Sequence, residues 1–211
     1  MKLNKNMAVA LSFIATVLFG TAAIQSAEAA KGETAAQTQQ TVDYTYTSKE
    51  YGYTIQCPQK PNVIPASMLY EGKKGEVLVF DNEGYTIKNA WVILTDAFDS
   101  KNTPDYNKLK EDEAKNYLTT LMNNNAYESA RLIKLDEKRK AVFAVTAKEV
   151  ELDTDGDGKP DVTAKADTRM AVLFFRGNKG GCYSIQLIDN PDLRESALLA
   201  FKAGAISFQE K

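Results

Sequence analysis

The stretch Asn89-Ala-Trp-Val-Ile-Leu-Thr-Asp96 decides the architecture of this chain. Trp91 and Ile93 alternate with Val92 and Leu94, so a strand here presents apolar side chains to both faces. A strand apolar on both faces belongs inside a sheet that is covered on both sides. Working outward, further strands are predicted at Tyr44–Thr47, Tyr51–Cys57, Glu76–Phe80 and Tyr85–Ile87, with Pro61 and Pro65 marking an extended loop. Beyond the middle of the chain they are predicted at Ala130–Leu135, Ala141–Leu152, Thr163–Arg176 and Cys182–Ile188.

Two helices interrupt the strands. Thr103 caps the first, Pro104 suits its first position, and Asp105 complements the positive end of the dipole. Tyr106, Leu109, Ala114, Tyr117, Leu118, Leu121 and Met122 then recur at helical spacing until Asn123-Asn124-Asn125. Asp189-Asn190-Pro191 opens the second, which runs to about Ala203 with Leu193, Ala197, Ala200 and Phe201 on one face. The order predicts an α+β domain, a mostly antiparallel sheet flanked by two helices.

The richest chemical signal is Asp153-Thr-Asp-Gly-Asp-Gly-Lys-Pro-Asp161. Calcium takes six to eight hard oxygen ligands, and a short acidic loop turning on glycine supplies them. Asp153, Asp155 and Asp157 fall at the first, third and fifth ligand positions, and Gly158 supplies the sharp turn. Lys159 offers its backbone carbonyl and Asp161 the ninth position. Ala164 stands where an EF-hand has its bidentate glutamate, so Glu149, Glu151 or Asp167 is left to complete the shell. The competing reading is a solvated acidic turn. Four carboxylates in nine residues repel one another without a cation, which favours calcium.

The N-terminus carries an address. Lys2 and Lys5 precede an apolar run from Met7 to Gly20, and Ala27-Glu28-Ala29 forms a small-residue cleavage site. That order predicts a signal peptide over residues 1–29 and export to the periplasm or the medium. Residues 30–43 have no hydrophobic period and read as a linker, leaving 44–211 as one domain. The mature chain holds no second apolar run long enough to span a membrane. Its mixed, slightly acidic charge, formally −2, gives no footprint for nucleic acid.

Cys57 and Cys182 are the only cysteines. An even count in an exported chain predicts a disulfide between them; two buried free thiols are the alternative. Histidine is absent, which removes Ser–His and Cys–His catalysis and histidine-ligated zinc or haem. Tyr44, Tyr46, Tyr51 and Tyr53 match an aromatic ligand platform, but also ordinary strand composition.

The segment Tyr51-Gly-Tyr-Thr-Ile-Gln-Cys-Pro58 resembles the opening strand of PsbP-like domains. A closing helix that runs into Ala205-Ile-Ser-Phe208 is similar to the end of that family. The chain departs from the pattern in carrying Gln59-Lys60-Pro61 where the family often has a tryptophan. The calcium-type loop resembles thrombospondin type 3 and EF-hand-like loops. The PsbP resemblance implies an α-β-α sandwich and a non-enzymatic binding or accessory role toward an envelope or extracellular ligand or protein, with no catalytic residues to carry over. The alternative is a carboxylate- or metal-dependent hydrolase of envelope polymers, which would need distant acidic residues to converge. A module docking a protein partner would need an exposed apolar face.

Overall fold

The computed structural model describes residues 42–123, 126–152, 159, 162–165, 169–190 and 193–211. Its strands are β1 (Tyr44–Ser48), β2 (Tyr53–Cys57), β3 (Asn62–Pro65), β4 (Lys74–Glu83), β5 (Thr86–Thr95) and β6 (Tyr127–Lys134). They continue as β7 (Lys140–Thr146), β8 (Glu149–Leu152), β9 (Val162–Lys165), β10 (Met170–Arg176), β11 (Cys182–Asp189) and β12 (Gln209–Glu210). Helices α1 (Glu111–Met122) and α2 (Glu195–Ser207) complete the described elements. Seven strands form one antiparallel sheet in the order β3-β4-β5-β11-β10-β7-β6. β1, β2 and β12 make a smaller antiparallel sheet, and β8 and β9 a two-stranded ribbon.

The alternation in β5 sorts the core into two. On one face Leu78, Trp91, Ile93, Phe143, Leu173, Ile185 and Leu187 pack with Phe201 and Ala205 of α2 and with Tyr53 and Ile55 of β2. On the other, Val77, Val92 and Leu94 meet Ala66 and Tyr70 from the segment after β3. The register Val92↔Gln186↔Val172↔Ala144↔Ala130 carries this second face across to β6, against which α1 packs. Each fully buried large side chain here contributes about 1.5–3 kcal/mol.

Several boundaries differ from the sequence expectation, each for a tertiary reason. Helix α1 starts at Glu111, not after Thr103. Tyr106 is turned into the core instead, tilted against Phe98 and Tyr117 with ring centroids 5.7 Å from each. Arg176 takes the carbonyls of Ser100 and Thr103, and the Asp105 carboxylate accepts from the Asn107 N–H, making a turn in place of a first helical turn. Helix α2 starts at Glu195 because the buried Asp189 spends its carboxylate on the Arg194 N–H and guanidinium. The strand expected over 141–152 divides at Thr146 into β7 and β8, and β8 leaves the main sheet. The predicted loop after Pro61 contains β3, an edge strand where Pro65 interrupts no interior ladder.

Candidate functional site

The acidic loop sits on the β8–β9 ribbon. Glu149 pairs with Lys165, Val150 with Ala164, Glu151 with Thr163 and Leu152 with Val162. That last pair brings residues 152 and 162 face to face, so the loop between them is closed at its base. Asp153, Asp155, Asp157 and Asp161 lie outside the described residues; Lys159 is exposed. Of the flanking carboxylates, Glu149 is bound to Lys165 at 2.7 Å, a hydrogen bond that raises the lysine's pKa. It also stands three residues, about 10 Å of strand, from the closing pair. Glu151, one residue from that pair and exposed, is the nearest described carboxylate to the loop. Asp167 lies outside the described residues. With Tyr127, Ala147 and Thr163 the two glutamates line a polar recess of about 400 Å³.

The expected disulfide is not formed. Cys57 and Cys182 are both buried free thiols, and the topology keeps them apart. A Cβ added at Gly204 would touch both the Trp91 ring and, at 2.9 Å, the Gln56 carbonyl, so the Cys57 end of β2 lies beside Trp91. Trp91 pairs with Leu187, and Leu187 is five residues, about 17 Å of strand, from Cys182. A bridge needs its Cα atoms within about 7 Å. Each thiol has a local environment of its own. The Cys57 Sγ lies 3.9 Å from the Ile55 carbonyl, and burial pushes this thiol up to about 12. The Cys182 Sγ accepts from Arg176 Nη1 at 3.7 Å.

The four N-terminal tyrosines do not form an open platform. Tyr53 is fully buried and stacks on Phe208 at 5.1 Å. Its hydroxyl donates to Glu76 Oε2 at 2.5 Å, and that of Tyr46 to Oε1 at 3.0 Å. Burial, then the Glu76 charge and hydrogen bond, raise both phenols. Sequence reasoning missed Glu76, which is 8 % exposed at the head of the apolar run Val77–Phe80. The available signal was its parity: it shares the inward face with Leu78. Here a carboxylate pins the small sheet to the large one.

A second missed feature is a groove of about 720 Å³ between α1 and β6. Its floor is Ala114, Leu118 and Met122 from the helix and Ala130 and Leu132 from the strand. Lys115, Lys140 and one carboxylate, Glu111, stand at its sides. The Lys140 ammonium donates to the Leu109 carbonyl at 3.0 Å, holding the approach to the helix against β7. The apolar stripe of α1 was legible; that small residues leave part of it uncovered was not.

The described residues thus define an α+β domain built on antiparallel sheets, and none of its helices is long and apolar enough to cross a membrane. No family model and no curated protein matches the chain. Among solved structures it is weakly similar in fold to the solution structure of cyanobacterial PsbP (CyanoP) from Synechocystis sp. PCC 6803. The match covers 80% of this chain and 92% of that chain, with 11% sequence identity and a TM-score of 0.45. The likeness is one of element order and says nothing of ligand or activity.

Proposed function

We propose that this chain is an exported, non-enzymatic binding or accessory protein, its main sheet held between two helical layers and its loop from Asp153 to Asp161 held by calcium. The observation that carries the calcium reading is the Leu152↔Val162 pair, which closes the base of a loop already spaced for the ion. A closed loop spares the ion part of the ordering entropy that an open acidic segment would cost. Asp153, Asp155, Asp157 and Asp161 supply carboxylates, and Lys159 its carbonyl. Glu151, one residue from the closing pair, would complete the shell. Hydrolysis by paired carboxylates would require two of them across a cleft; the larger groove carries Glu111 alone.

The test is thermal unfolding of the mature protein in chelator, in calcium and in magnesium. With a Kd on the order of 100 μM and millimolar calcium, the ion stabilises by about 1.4 kcal/mol. A calcium-specific rise in midpoint that Asp155→Ala removes is the expected result. Equal midpoints in all three conditions overturn the metal reading. Export is checked separately by the mass of the secreted product, which should begin at Ala30.

A further inference from the structure

Beside the apolar groove runs an unused sheet edge. β6 ends the seven-stranded order, and among the described residues its ladder runs on one side only, to β7. Alternate residues of its eight therefore direct backbone donors and acceptors away from β7, with no described strand to take them. Helix α1 lies along this same strand, antiparallel to it: Met122 and Ala130 line one end of the groove, and Leu109 and Lys140 the other. A free strand edge flanked by a helix, with an apolar trough between, is the geometry that binds extended peptides by strand addition. Main-chain hydrogen bonds give affinity there, and alternate side chains fill the trough.

The charges choose among occupants. Lys115 and Lys140 line the groove, and Lys134 is the register partner of Lys140, against the single carboxylate Glu111. The strand itself carries Arg131 and Lys134 against Glu128, with a register shift between Tyr127 and Ser129. The register shift bends this edge, a usual device against pairing with a second copy. The same charges attract an acidic guest.

We propose that the groove takes an extended peptide segment with alternating apolar side chains and a carboxylate toward Lys134 and Lys140, adding an eighth strand at β6. This rests on the binding reading and gives it a partner class. It does not depend on the calcium loop.

The probes are fluorescein-labelled ten-residue peptides of alternating valine and threonine, read by fluorescence anisotropy on the full mature protein. One ends in two aspartates, one in two lysines, and one is the acidic peptide N-methylated at alternate residues to remove its strand donors. The acidic peptide binds, the lysine peptide binds at least about fivefold more weakly, and the N-methylated peptide does not bind. Lys134→Glu, an exposed change that leaves the fold intact, weakens the acidic peptide by a similar factor, and Met122→Asp abolishes its binding. No binding by any peptide, or equal binding by the N-methylated one, overturns the proposal. So does a protein that sediments as a dimer by itself and is made monomeric by Lys134→Glu, because the groove would then belong to a second copy. A calcium-insensitive unfolding midpoint alongside peptide binding would remove only the loop reading.

Discussion

Replacing Gly204 with alanine tests whether close approach sets the seat of α2 on the sheet. Gly204 is buried in the helix, and an added Cβ would land on Cη2 and Cζ3 of Trp91 while standing 2.9 Å from the Gln56 carbonyl. Neither neighbour can yield. The carbonyl is backbone, and the Trp91 ring is 1% exposed, wedged between Phe80 at 5.0 Å and Phe201 at 6.1 Å. Alanine improves helix propensity by about 1 kcal/mol. Overpacking costs about 1–3 kcal/mol, and contacts this short put it at the upper end. The net expectation is a loss of about 2 kcal/mol, read in urea by fluorescence of Trp91, the only tryptophan, as a lower midpoint with unchanged slope. Trp91→Phe removes the two ring atoms that the methyl would strike. In that background, followed by circular dichroism, the alanine should cost less than about 1 kcal/mol, the Gln56 carbonyl contact remaining, a coupling of at least about 1 kcal/mol. A Gly204→Ala protein as stable as its parent would refute the reasoning, as would a cost unchanged by Trp91→Phe.

Arg139 donates to the Ile206 carbonyl at 2.7 Å, the Phe208 carbonyl at 2.8 Å and the Asp136 carboxylate at 2.5 Å. Arg139→Ala should therefore cost about 3 kcal/mol in a urea titration, and Arg139→Lys should recover less than half of that, because an ammonium lacks the fork. Burial raises the Asp136 pKa, but hydrogen bonds from the Lys138 and Arg139 N–H groups and the Arg139 guanidinium outweigh it and lower the value overall. Its stabilising contribution is thus present above the unfolded pKa near 4 and lost as pH falls through the folded one, so Asp136→Asn should flatten part of the acid limb. At the other extreme, the native Cys57 thiol keeps its proton to about pH 12 while the unfolded thiol releases it near 9. Stability must fall as pH rises between those values, and about 2 kcal/mol of the parent's loss between pH 8 and 10.5 should be missing in Cys57→Ala. A thiol reagent should count two groups per chain in denaturant without reductant, and should react slowly with the native protein.

The readings that survived from sequence to structure depend on neighbours along the chain. Alternation in β5 and the glycine-rich turn after Arg176 are local patterns, and both appear where expected. The readings that changed depend on partners far away. Thr103 carries an acceptable capping signal, yet Arg176, 73 residues on, claims its carbonyl, and the buried Tyr106 cannot also lie on a helix facing the sheet. The cysteine count pointed to a bridge, but Cys57 packs in the core under β2 while Cys182, in phase with Gln186, turns to the other face of the main sheet. Glu76 looked like one charge among many until the hydroxyls of Tyr46 and Tyr53 closed on it from another sheet.

By itself the sequence determined the α+β class, the two-faced core strand, the carboxylate spacing from Asp153 to Asp161 and the exclusion of histidine chemistry. Each follows from residue type and period, which act over a few positions. Only the tertiary structure decided where α1 begins, that β8 and β9 close the acidic loop in a ribbon of their own, that the thiols stay apart, and that a groove opens beside β6. Those outcomes are settled by competition for buried hydrogen-bond partners and by the space that small side chains leave between packed elements. Neither is written in any short window of the chain.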